Sequence, residues 1–269
     1  MTTFQKVIKY LSIAFALFLT VSIIGGALGL IGRLGGLLDG DNVMEDAEVY
    51  AVSDNITALN IKINAADFTI KQSDKFSVES NLKHLTVKED DGVLIIKEAK
   101  TFGITYTDAV LILNIPEGMK FEKVDITTGA GVVAVDALSA DSLTLELGAG
   151  EVKINSLTAD RNVNIDGGAG KITIAGGSLR NLDLGMGVGQ LNLMAAVLGN
   201  SDFDLGIGET NITLIGTKDD YSIDVEKGIG NVSVDGKSVS DSADIGNGEN
   251  NIEISGGIGA INLVFADEE

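Results

Sequence analysis

Glycine returns at a fixed phase through the second half of this 269-residue chain. Seven segments beginning at Val124, Leu143, Val163, Leu182, Phe203, Ile223 and Ala243 superpose at a spacing of 19 to 21 residues. Each carries glycine at its sixth position, namely Gly129, Gly148, Gly168, Gly187, Gly208, Gly228 and Gly248. Gly131, Gly150, Gly170, Gly189 and Gly230 add a second glycine two residues on, and Thr210 and Asn250 stand in its place in the other two segments. A glycine that recurs in phase marks a backbone position needing positive φ or close approach, which makes it the corner between two strands. Apolar residues flank that corner at positions one and three and again at ten and twelve, as with Leu143 and Leu145 followed by Val152 and Ile154. Alternation of period two puts each pair on one face of extended chain. Two short strands cannot bury such a face alone, but stacked repeats can. Each inward aliphatic contributes about 1.5–3 kcal/mol if fully buried, before the entropy of ordering the chain is subtracted. The expectation is an all-β solenoid of parallel rungs over residues 124–265, its seven rungs spanning about 34 Å at roughly 4.8 Å each.

Residues 49–123 also read as strands, with alternation at 56–63, 68–70, 76–78 and 85–87 and apolar runs at 93–96 and 110–115. Pro116, the only proline, closes the last of these as a turn residue. This region is expected to form the first, less regular coils of the solenoid, with a separate small β domain as the alternative. The 34 glycines and few aromatics fit many tight turns joined by aliphatic strands. A net charge of −20 excludes a phosphate backbone as partner. The absence of cysteine removes disulfides, thiol nucleophiles and thiolate metal sites.

At the N-terminus, residues 11–31 contain no charge and come after Lys6 and Lys9. A helix of that length spans roughly 30 Å, enough to cross a bilayer. The run is longer than the apolar region of a cleaved signal, which favours an uncleaved signal anchor. The preceding lysines favour a cytoplasmic N-terminus. The expected order is a cytoplasmic stub at 1–9, a membrane anchor at 10–32, a juxtamembrane linker at 33–48 and an exported remainder. Gly25, Gly29, Gly32 and Gly36 match small-residue spacings that can bring membrane helices together, although ordinary glycine at a flexible membrane exit is the favoured reading.

The strand pairs, the run Leu-Ile-Leu-Asn-Ile-Pro-Glu-Gly at 111–118, the run Asp-Ile-Thr-Thr-Gly-Ala-Gly at 125–131 and the repeats together resemble the bacterial putative-adhesin family over roughly residues 50–265. The resemblance implies a right-handed single-stranded parallel β-helix carried on envelope proteins, in some cases near envelope-stress regulators. It brings no catalytic residues.

The chain's own residues point the same way. His84 is the only histidine, so neither a multi-histidine metal site nor a Ser-His-Asp arrangement has a second anchor, and a solvated strand position is expected for it. The run Gly167-Gly-Ala-Gly-Lys171 lacks the spacing and following hydroxyl of a phosphate loop. No cofactor is called for. The outward second position reads Asp183, Asp204, Asp224 and Asp244 in four successive repeats. Carboxylates about 5 Å apart repel by roughly 0.8 kcal/mol in water, so the stripe is a candidate weak site for divalent cations or a basic wall component, against the simpler reading of a solvated face. Asn211, Asn231 and Asn251 share position nine, where stacked amides can form a structural ladder. The functional expectation is a non-enzymatic envelope protein that contacts wall, cations or a protein partner. The rivals are a self-assembling structural solenoid and, less favoured without tryptophan or long loops, a polysaccharide-active enzyme.

Overall fold

The computed structural model describes residues 47–99, 109–239 and 242–267. The expected stub at 1–9, anchor at 10–32 and nearly all of the linker at 33–48 lie outside the described residues. Among those described, the one helical element is a 3₁₀ turn, Lys218–Asp220, and no helix is long and apolar enough to cross a membrane.

Sixteen strands form one sheet that coils as stacked rungs. The body is built from β8 (Lys120–Ile174), which runs without a break, β9 (Gly177–Arg180), β10 (Leu182–Leu198) and β11 (Asn200–Ile215). Parallel pairing sets Leu182 on Val163, Leu184 on Ile165, Leu191 on Ile172 and Leu193 on Ile174, all buried. The alternation read from the sequence therefore delivers the aliphatic columns that fill the coil. A third, shorter side adds Leu157, Leu179 and Val197 to the same interior.

Residues 49–123 join this sheet. β2 (Ala58–Ala65) and β3 (Asp67–Ser73) form a rung that pairs in parallel with β8, Leu59 meeting Val124 and Phe68 meeting Val133. On their far side lie β6 (Val93–Glu98) and β7 (Val110–Pro116), also parallel. β4 (Ser77–Ser80) and β5 (Leu85–Asp90) then close that end antiparallel to β7 and β6, with β1 (Glu48–Ala51) outside β4.

The opposite end repeats this plan and corrects the expected order of rungs. β12 (Tyr221–Glu226) and β13 (Ile229–Val234) do not stack on β11. The last strand, β16 (Asn250–Ala266), lies between them, parallel to β11 on one side and to β12 and β13 on the other. The segment expected to start a seventh rung at Ala243 belongs to β15 (Ser242–Gly246), antiparallel to β12, while β14 (Lys237–Val239) is antiparallel to β13. At each end, then, the outermost parallel rung, β6–β7 or β12–β13, is capped with short antiparallel strands, while β2–β3 at one end and β16 at the other lie one layer further in. Such capping blunts the parallel edges that would otherwise template pairing with another chain.

The corner glycines stand where backbone meets backbone. A Cβ on Gly189 would fall inside the Gly170 carbonyl, and its φ of +146° is one that L-residues rarely adopt. The same relation links Gly208 to Gly189, Gly259 to Gly208 and Gly230 to Gly259. A companion column places Gly187 on Gly168, Gly206 on Gly187, Gly257 on Gly206 and Gly228 on Gly257. Gly208 thus belongs to the column of Gly170 and Gly189, not to the one shared by Gly129, Gly148, Gly168, Gly187 and Gly228. Gly248 belongs to neither, because it abuts the backbone of Asp220 and Tyr221. With Gly206 and Gly257 in place, every rung from 129 to 259 carries a complete Gly-x-Gly corner. The equivalent corner of β2 and β3 carries Asn64 and Ala66 in place of the glycine pair. The buried Glu98 carboxylate accepts the Asn64 and Ala65 N–H groups there instead, at 2.5 and 3.1 Å.

Gly189→Ala is expected to abolish the cooperative thermal transition followed by circular dichroism. Gly118→Ala, at a φ of +72° with open space around it, costs only about 1–2 kcal/mol for the left-handed backbone. Stopping the chain after Glu249 leaves β11 and β12 with unpaired facing edges, so the shortened protein is expected to lose the transition and to regain it when a peptide of residues 250–266 is added.

Candidate functional site

The outward face of the first strand in the later rungs carries columns of carboxylates. In register, Asp183 stands beside Asp202, Asp202 beside Glu253, Glu253 beside Asp224 and Asp224 beside Asp244, all five exposed. The structure therefore brings Asp183, Asp224 and Asp244 into one column. Asp204 is not in it: it pairs with Gly185 and Ser255 two residues along. Asp202 and Glu253 hold the places that sequence spacing did not assign. The neighbouring column contains Asp166, Asp204 and Glu226, all exposed. These side chains radiate into solvent, and among the described residues no group of three or more His, Asp or Glu side chains converges as a metal ion requires.

The asparagine ladder exists with different members. Asn211 donates from Nδ2 to Asn192 Oδ1 at 3.0 Å, Asn262 donates to Asn211 Oδ1 at 2.8 Å, and Ser233 Oγ donates to Asn262 Oδ1 at 2.8 Å. A second ladder, one residue before the first inward position, has Asn251 donating to Asn200 Oδ1 at 2.9 Å and Asn181 Oδ1 accepting the Asn200 N–H at 3.1 Å. Of the three asparagines expected together, Asn211 and Asn251 lie on separate ladders, and the exposed Asn231 pairs in register with Ala260. Stacked amides satisfy one another along the coil axis and lock rung spacing, so they stabilise the scaffold.

Elsewhere charge is dispersed. Lys120 reaches Asp141 at 2.5 Å and Asp160 at 2.7 Å, with Arg161 3.3 Å from Asp141. The hydrogen bond from Lys120 holds the Asp141 carboxyl below its ordinary range, and its bonds to Asp141 and Asp160 hold Lys120 above its own. Glu151 is buried with its Oε2 lacking a hydrogen-bond partner and its Oε1 4.0 Å from Lys171 Nζ. Lys171 comes directly after a corner, as the Gly-rich run at 167–170 implied, and no helix succeeds it. His84 is exposed on the turn before β5 rather than on a strand, its carbonyl accepting the Ala99 N–H. The half-open hollows at the corners measure about 30 and 20 Å³, room for roughly one water each. A shallow open depression of about 410 Å³ lies on the acidic face beside Thr127, Glu146 and Asp166.

Stacked parallel rungs with solvated faces and capped ends define a β-solenoid-like domain. The sequence matches the Toastrack DUF4097 family over residues 41–263, and the chain belongs to that family. No curated protein matches the chain. Similar solved structures include a putative cell adhesion protein from Clostridium sporogenes, 16% identical with a TM-score of 0.37, the match covering 82% of this chain and 99% of that one. A putative adhesin from Bacteroides fragilis is 12% identical with a TM-score of 0.39, covering 82% and 96%. A putative lipid binding protein from Parabacteroides distasonis is 15% identical with a TM-score of 0.37, covering 82% and 97%.

Asn211→Ala, which removes the middle of a three-amide ladder, is expected to lower stability by about 1–2 kcal/mol in urea titrations. Asn231→Ala is expected to change it by less than about 0.5 kcal/mol.

Proposed function

We propose that this protein is a non-catalytic contact protein of the bacterial envelope. A membrane anchor at residues 10–32 and a short linker at 33–48 hold the coil domain outside the membrane, and its solvated acidic surface meets a partner. The carrying observation is the pairing of a 21-residue uncharged run, preceded by Lys6 and Lys9, with a rigid domain of short, even rungs. The length of that run supports an uncleaved anchor, and the lysines support export of the chain beyond it. The acidic face supports a cationic partner over a nucleic acid or an anionic polymer. End-to-end self-assembly is the weaker reading because antiparallel strands β5 and β14–β15 cover the outer parallel edges.

Protease added to intact cells is expected to remove a C-terminal epitope tag while sparing an N-terminal one, with the tagged N-terminal fragment remaining in the membrane fraction. Protection of both tags, or recovery of a fragment that begins after residue 32 in the medium, would overturn the topology.

A further inference from the structure

Between the paired glycines of each corner one side chain points outward at the apex. In the first three rungs of the body this residue is alanine: Ala130, Ala149 and Ala169. Towards the capped C-terminal end it changes to Val188, Ile207, Ile258 and Ile229, which stand in register on consecutive rungs. Ile207, Ile258 and Ile229 are 52%, 50% and 72% exposed. Alanine serves the corner equally well in the earlier rungs, so packing does not require isoleucine there. The flanking glycines leave the three side chains as a projecting apolar ridge with bare backbone on either side.

Three side chains in single file fall far short of the roughly 800 Å² per partner that a stable dimer buries, so a second copy is a poor occupant. An anionic bilayer surface is also a poor one. Three residues before Ile207 and Ile229 stand the exposed carboxylates Asp204 and Glu226, and Glu209 lies two residues beyond Ile207. The column of Asp202, Glu253 and Asp224 runs parallel to the ridge, five residues earlier on each strand. Lys227 is the one cation next to the ridge within these rungs, and it has an electrostatic or hydrogen-bonding interaction of its own. An apolar line bordered by carboxylates complements a segment with apolar residues on one side and lysine or arginine on the other.

We propose that the ridge of Val188, Ile207, Ile258 and Ile229 is the docking line for a cationic amphipathic segment of a polypeptide partner. The apolar side chains of that segment lie over the isoleucines and its basic groups over the bordering carboxylates. This rests on the reading of the domain as a contact surface and names the class of partner.

The test uses the full chain in a neutral detergent and a fluorescent twelve-residue peptide of alternating leucine and lysine, monitored by anisotropy. Binding is expected to weaken at least about tenfold in the Ile207→Thr/Ile258→Thr/Ile229→Thr variant and in the Asp204→Asn/Glu209→Gln/Glu226→Gln variant, and to fall as salt is raised. Threonine keeps the β-branched shape that strands favour, and thermal melts confirm that both variants remain folded. A peptide of alternating leucine and glutamate is expected not to bind. Equal binding by wild type and the threonine variant would overturn the ridge while leaving a contact surface elsewhere intact. The proposal also fails if the lysine peptide does not bind wild type at all, or if the threonine substitutions abolish binding to phosphatidylcholine vesicles instead of to the peptide. The two-tag protease experiment decides the envelope topology independently of every one of these results.

Discussion

The constraint on which the domain rests is the approach of one backbone to the next at the corner of every rung. Strands in a sheet keep a fixed separation, and a chain that turns sharply within that separation has no room for a Cβ where its turn meets the carbonyl of the neighbour. Two glycines per rung meet this condition, one by leaving space and one by also adopting a φ near +146°. The rung formed by β2 and β3 shows the converse, since its corner faces the Glu98 carboxylate and accordingly carries Asn64 and Ala66. With the corners fixed, the aliphatic positions on either side of them fall into columns, and the interior fills with Leu, Ile and Val.

Stacking of this kind makes every rung depend on its neighbours and leaves the two ends as the weak points. The chain treats both ends alike. It builds an outer parallel rung, covers that rung with antiparallel strands and places β2–β3 at one end and β16 at the other one layer further in. The result is a domain whose sheet edges are short and finished, and whose remaining surface is free to carry charge and a few exposed apolar groups.

Much of this was legible in the residues. Where inward positions are all aliphatic, as in the rungs starting at Val163 and Leu182, spacing alone gives the observed register. It fails at the next rung because the first inward position there is Ser201, whose buried hydroxyl accepts the Leu182 N–H at 3.0 Å, and a further inward position is Thr210. Reading Phe203 as the first inward residue shifts the segment by two. A slip of two keeps the inward and outward faces, so the hydrophobic pattern cannot reveal it. That one shift misplaced Asp204, Asn211 and Gly208 together. The insertion of β16 was hidden for another reason: Gly246 and Gly248 imitate a corner, and sequence order gives no sign that a later segment lies between two earlier ones. The signal that does mark it is Gly257-Ile-Gly259, which matches Gly206-Ile-Gly208 and is flanked by Ile252, Ile254, Ile261 and Leu263.

The position of β16 bears on how the domain answers mechanical load. A strand at the rim of a sheet can be peeled off one hydrogen bond at a time. β16 instead runs parallel to a partner on each side, paired with β11 from Asn251 to Ala266 and with β12 and β13 on its other flank. Tension on the C-terminus acts along those ladders, so many hydrogen bonds must rupture at once before the strand can slide out. β16 thus serves as a clasp, resisting shear where an outermost strand would unzip.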